Sequence, residues 1–273
     1  MKLKFLSLLL IAQFAYCFDA PQKVQRVDLG MAEDTISKLS ATCSYFKTFM
    51  MKEVSLSPSA KGGDVLSIVP ITNGQPAPLC QKGNLPNEKV LNVASGDGGY
   101  FIGAKSYFVF IDDYADPGPS EFSVYDAKTG KQLFSDHYQI EREITGVTLK
   151  DADLKMHYKR AAPAGCSVPH DGRACWQKIG KSLNIKPNYL PHDHTSIESN
   201  NAKVQFAKRN CGTLSAKGKN AEAQCIQKEM SATLPEFLAS AETIVGYPVE
   251  AVWNGAMLKI TPFDGAIDWW PGN

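Results

Sequence analysis

Tyr107-Phe108-Val109-Phe110-Ile111 and the run Glu121-Phe122-Ser123-Val124-Tyr125-Asp126-Ala127-Lys128-Thr129-Gly130-Lys131 decide the fold. The first is continuously apolar, the pattern of a strand covered on both faces. The second alternates and then enters a connection with Asp at its start and Gly at its end. That chemistry suits a type I turn closed by a residue with φ > 0, so Lys131 to Ser135 is expected to return as the partner strand. Strands at Gly146–Leu149 and Leu154–Tyr158, joined by Asp151-Ala152-Asp153, extend the pattern into an antiparallel meander.

Before this centre, Tyr45 to Val54 reads as one strand, Lys61-Gly62-Gly63-Asp64 as a turn, and Val65–Val69 as a strand ended by Pro70. Residues 70–88 hold four prolines and two glycines and read as a loop. Residues 18–42 read as a leader with one helical turn over Asp34 to Leu39. After the centre, Trp176, Ile179 and Leu183 recur at helical spacing behind Asp171, a candidate cap. Ala223, Ile226, Met230 and Leu234 mark a second amphipathic helix that Pro235 ends. Asn254-Gly255 between Thr243–Trp253 and Met257–Ile260 is a strong hairpin signal. The expected fold is mainly β, antiparallel and sandwich- or barrel-like, with two short helices in the C-terminal half. An α+β arrangement is the fallback.

The chain has 273 residues, 44% hydrophobic and 21% charged, which suffices for a core and argues against global disorder. Its net charge of +1 lacks the basic excess of a nucleic-acid binder. No internal run reaches about 18 uncharged apolar residues, so no membrane-spanning helix is expected. Lys2 and Lys4 followed by Phe5-Leu6-Ser7-Leu8-Leu9-Leu10-Ile11-Ala12 form the basic and apolar parts of a secretion signal. Residues 1–17 are read as that signal, with cleavage after Cys17 or Ala15, and residues 18–273 as one disulfide-stapled domain that is secreted or periplasmic. Tyr16 before Cys17 disfavours lipid anchoring.

Removing Cys17 leaves six cysteines, and an even count in an exported chain favours disulfides. Of the 15 possible pairings, short loop closure favours neighbours: Cys43–Cys80, Cys166–Cys175 and Cys211–Cys225. A zinc site lacks any C-x-x-C pair.

Nucleophile elbows, H-E-x-x-H pairs and phosphate-binding glycine loops are absent, so no catalytic residue is assigned. His192 and His194, in Pro191-His192-Asp193-His194, share one side of an extended segment and form the best metal candidate. His170 joins them if the fold brings it close; a polar surface loop is the preferred alternative. Asp112, Asp113 and Asp116, with Glu121 beyond them, form an acidic loop with oxygen ligands for a hard cation, against the simpler reading of a solvated turn. Lys203, Lys208, Arg209, Lys217 and Lys219 form a basic stretch able to face an anionic polymer. Asp268-Trp269-Trp270-Pro271 reads as a tail docked on the sheet. The expectation is a non-enzymatic binding protein of the cell envelope or exterior, with a protein or glycan partner and no cofactor. The alternative is a metal-assisted hydrolase built on His192 and His194.

Overall fold

The computed structural model describes residues 17–31, 38–56, 65–72, 74, 76–81, 83–91, 99–113, 119–139, 144–186, 207–208, 211, 219–231 and 242–271. Strands β1 (Lys23–Met31), β2 (Lys38–Tyr45), β3 (Phe49–Leu56), β4 (Val65–Pro70) and β5 (Lys89–Val90) form an antiparallel sheet in chain order. A second, larger sheet contains β6 (Tyr100–Lys105), β7 (Phe108–Asp113), β8 (Ser120–Asp126), β9 (Gln132–Tyr138), β10 (Thr145–Lys150), β11 (Asp153–Pro163), β12 (Thr243–Trp253), β13 (Leu258–Pro262) and β14 (Asp268–Pro271). One helical turn, α1 (Val168–Asp171), precedes helices α2 (Arg173–Ser182) and α3 (Lys219–Ser231). The mainly antiparallel β architecture with two short C-terminal helices is therefore the one the sequence predicts.

Three local expectations change. Residues 18–42 are not a leader: they contain β1 and the start of β2. Polar residues disguise β1, because only Val27 and Leu29 of its inner face touch the core while Arg26 and Asp28 face solvent. Of the helical turn expected there, Lys38 and Leu39 belong to β2, and Asp34 to Ser37 lie outside the described residues. The single strand over Tyr45–Val54 is instead the β2–β3 hairpin, turning between Tyr45 and Phe49. Asp171 does not cap α2; its carboxylate accepts the Ser167 amide (3.1 Å), and Gly172 stands at the helix start.

The two sheets pack face to face. Phe49, Met51, Leu66 and Ile68 of the smaller sheet meet Val109, Ile111 and Tyr125 of the larger. The opposite face of the smaller sheet is covered by the proline-rich segment, where Cys80 and Leu85 join Ala41, Cys43, Tyr45 and Met50. Cys43 and Cys80 are disulfide-bonded there, Cα atoms 5.8 Å apart. Cys166–Cys175 and Cys211–Cys225 complete the neighbour pairing, closing loops of 9 and 14 residues. In the chain-entropy model each such loop contributes about 3 kcal/mol. The last bond compensates for weak packing: Ala223 of α3 is exposed and Ile226 half-buried, whereas Cys211 is buried. Leu234 and Pro235 lie outside the described residues.

The larger sheet curls. Between β9 and β11 the register holds one pair, Tyr138 with Arg160. β10 takes the rest of that edge of β11 and lies beside β6. Alternate residues of the curled strands fill its interior, with Phe122 against Tyr158 (5.0 Å between ring centres) and Phe134 against Trp253 (5.1 Å). Residues 17–19 bridge the β6–β10 seam. The Cys17 thiol donates to Ile144 O (3.0 Å), the Asp19 amide donates to Ala104 O (2.8 Å), and Phe18 packs edge-on against Phe110. Gly103 makes the slot, since a Cβ there would stand 2.5 Å from the Phe18 ring. Helix α2 lays Trp176 and Ile179 on the same core, and Trp176 meets Trp269 of β14.

One buried ion pair joins the proline-rich segment to the smaller sheet. Glu88 accepts from Lys52 Nζ (3.1 Å), Ser67 Oγ (2.5 Å) and the Leu85 amide (2.6 Å), and both charged side chains are about 5% exposed. Burial raises the Glu88 pKa, but these hydrogen bonds outweigh it and hold the carboxyl below its ordinary value. Glu88→Gln strands the Lys52 ammonium and should cost about 3–5 kcal/mol at neutral pH in urea unfolding. A depressed carboxyl stabilises above its unfolded value and loses that contribution as pH falls through the folded one. The gap between wild type and variant should therefore shrink as pH falls below 4.5; a pH-independent gap contradicts this role.

Candidate functional site

Asp112 and Asp113 are the last residues of β7, both buried, and not part of an acidic loop. Their side chains alternate across the strand, with Asp113 opposite Glu121 and Asp112 opposite Phe122. Asp116 lies outside the described residues, as do His192 and His194. His170 sits in α1, exposed, with Nδ1 2.8 Å from Asp171 Oδ1. It lines an open depression of about 460 Å³ with Gly165, Cys166, Ser167, Asp171 and Glu242. Among the described residues, no three His, Cys, Asp or Glu side chains gather as a metal site. Of the basic stretch, Lys208 is exposed and Lys219 is the first residue of α3; Lys203, Arg209 and Lys217 lie outside the described residues.

A different cluster lies inside the curled sheet, where β9 and β11 diverge. Inward positions of β9 run Phe134, Asp136, Tyr138, and those of β11 run Met156, Tyr158, Arg160. Arg160 Nε donates to both oxygens of Asp136 (3.0 and 2.8 Å), and the Tyr158 hydroxyl donates to the same carboxylate. Arg160 Nη1 donates to the Tyr247 hydroxyl (3.3 Å). Tyr138 faces Asp112, whose Oδ1 is buried with no hydrogen-bond partner among the described residues. Burial raises the Asp112 pKa, and Asp113 adds to it against the Tyr138 hydrogen bond. Burial, reinforced by Asp112, raises Tyr138, and burial with Asp136 raises Tyr158. Burial also raises Tyr247, against the lowering effect of Arg160.

Tyr247 connects this cluster to a cleft. It lines a cavity of about 150 Å³ together with Ile185, Lys186, Pro248, Phe263 and Asp264. The β13–β14 connection lies close over β12: the Phe263 amide donates to Pro248 O (3.1 Å). Gly265 permits the approach, because a Cβ there would be 2.7 Å from the Pro248 ring. The Phe263 ring rests edge-on against His157 (5.5 Å) yet stays 45% exposed. His157 is itself held 3.1 Å from Glu250. Lys186 and Asp264 stand 3.7 Å apart, both well exposed, so their attraction is screened. The cleft thus offers apolar walls, a half-exposed ring, and polar groups of both signs.

No family model matches the chain, and no curated protein or solved structure matches it. The cluster does leave a trace in the sequence. Asp136 and Arg160 occupy the apolar-parity positions of alternating strands, and a charge there requires a buried partner. The Pro262–Ile267 connection leaves none, because it gains its shape from contact with Pro248.

The raised tyrosines yield a direct expectation. Tyr138 and Tyr158 should ionise only when alkali unfolds the protein. The reversible tyrosinate absorbance below unfolding should therefore be the same in wild type and in Tyr158→Phe. A smaller reversible amplitude in the variant contradicts the buried network.

Proposed function

We propose that this is an exported, non-enzymatic binding protein of the cell envelope or exterior, with a glycan held in the Tyr247–Phe263 cleft. The reading of export rests on the basic and apolar N-terminal segment and on three disulfides, which persist in oxidising compartments. No helix among the described residues is long and apolar enough to cross a membrane.

The observation that carries the glycan reading is Phe263, half-exposed and braced by His157 beside a concave surface. A sugar ring has a face of C–H groups and a rim of hydroxyls. An aromatic platform flanked by a few polar side chains suits both. Asp264 supplies an acceptor, Lys186 donors, and Asn184 both. The groups most able to do chemistry, Asp136 and Arg160, are already bonded to each other, which favours holding a ligand over transforming it.

A glycan array followed by calorimetry on the hits tests this. Phe263→Ala should weaken binding by about tenfold or more, the loss of one stacked ring at about 1.4 kcal/mol, with unchanged thermal unfolding. No array hit, or hits indifferent to Phe263→Ala, contradicts the assignment. The rival metal-assisted hydrolase needs His192 and His194; zinc that raises the melting temperature of wild type but not of His192→Ala/His194→Ala would favour it.

A further inference from the structure

Strand β1 is nine residues long and closes one side of the smaller sheet. Its inner edge pairs with β2 from Lys23 to Met31, and among the described residues its outer edge bonds to no strand. Free strand edges are templates for another strand, and proteins usually shorten or cover them. This one is long, and its Val24 is 58% exposed. The face with Val24, Arg26 and Asp28 projects past the inter-sheet core, which draws its small-sheet residues from β3 and β4 and none from β1 or β2.

We propose that β1 pairs antiparallel with β1 of a second copy of this chain, joining two five-stranded sheets into one of ten strands. The charge order selects that occupant. A two-fold axis perpendicular to the sheet keeps each face on its own side, so residues of equal parity must oppose one another. With Val27 on the axis, Arg26 of each copy stands opposite Asp28 of the other, giving two cross-strand pairs of opposite charge. Shifting the axis to Arg26 or Asp28 sets like charges face to face; shifting it to Gln25 leaves Arg26 opposite Val24. The Val27 register therefore best satisfies the charges. The bulge between Asp28 and Gly30, where the Gly30 amide donates to Asp28 Oδ1 (2.8 Å), limits the ladder beyond it. Such an interface is narrow, so the dimer is concentration-dependent.

Sedimentation velocity on the mature chain over a concentration series tests this, with hydrogen exchange on β1 at the two extremes. A reversible dimer is expected, with β1 amide protection rising with concentration. Arg26→Asp places Asp opposite Asp twice and should raise the dissociation constant by about tenfold or more. The exchanged pair Arg26→Asp/Asp28→Arg should restore it. Arg26 is exposed and, among the described residues, its side chain has no hydrogen bond or ion pair, so thermal unfolding of Arg26→Asp checks that its fold is kept. Should the exchanged pair fold poorly for want of the Gly30 bond, Arg26→Asp and wild-type exchange decide alone. A monomer throughout with β1 unprotected, or a dimer that Arg26→Asp leaves intact, overturns the proposal.

Discussion

The Asp136–Arg160 ion pair stands at the shortest ladder among the bonded strand pairs of the larger sheet. Elsewhere long ladders fix the strands, as between β11 and β12, which stay in register from Leu154 to Pro163. Between β9 and β11 there is one register pair and one further amide bond, from Gln139 to Lys159 O (2.9 Å). Side chains must supply what the backbone does not. Arg160 clasps Asp136 from the next strand, Tyr158 donates to the same carboxylate, and Phe122 packs over Tyr158. A guanidinium suits this position, since its planar fork meets a carboxylate and a phenol together.

The consequences spread from that junction. With few ladder bonds there, the sheet turns sharply enough for β10 to come beside β6 and for residues 17–19 to span the seam. On its other side Arg160 fixes the Tyr247 hydroxyl, and Tyr247 lines the cleft under Phe263. The proposed ligand site thus draws one wall from a residue positioned by the core. The smaller sheet is held away from that junction, by its apolar layer on Val109 and Ile111 of β7, by Cys43–Cys80 and by Lys52–Glu88. The β1 edge, unpaired among the described residues, lies on this sheet, so the proposed pairing with a second copy leaves the cleft undisturbed.

Much of this was legible in the residues. The apolar run at Phe108–Ile111, the alternation at Glu121–Tyr125 and the Asp126–Gly130 turn mark β7, β8 and their hairpins, because a strand covered on both faces needs continuous apolar side chains. Structure was hidden where polar residues predominate. β1 reads as a leader because Lys23, Gln25, Arg26 and Asp28 mask two inner apolar positions, and β6 is obscured by Gly103, kept small for Phe18. Asp112 and Asp113 suggest a solvated turn because consecutive acids rarely end a buried strand; Tyr138 and neighbouring strands accommodate them. The cleft was not legible, since its residues come from α2's end, β12 and the β13–β14 connection, which only the fold brings together.

A double-mutant cycle at the β9–β11 junction tests the account most directly. Asp136→Leu and Arg160→Met are made singly and together, and unfolding free energies are read from urea titrations. If the pair holds the two parts of the sheet, Arg160→Met strands the buried Asp136 carboxylate and costs about 3 kcal/mol or more, Asp136→Leu unpairs a guanidinium that is 31% exposed and costs less, and the double change costs less than the sum of the singles. A double variant whose loss equals the sum of the singles would contradict it.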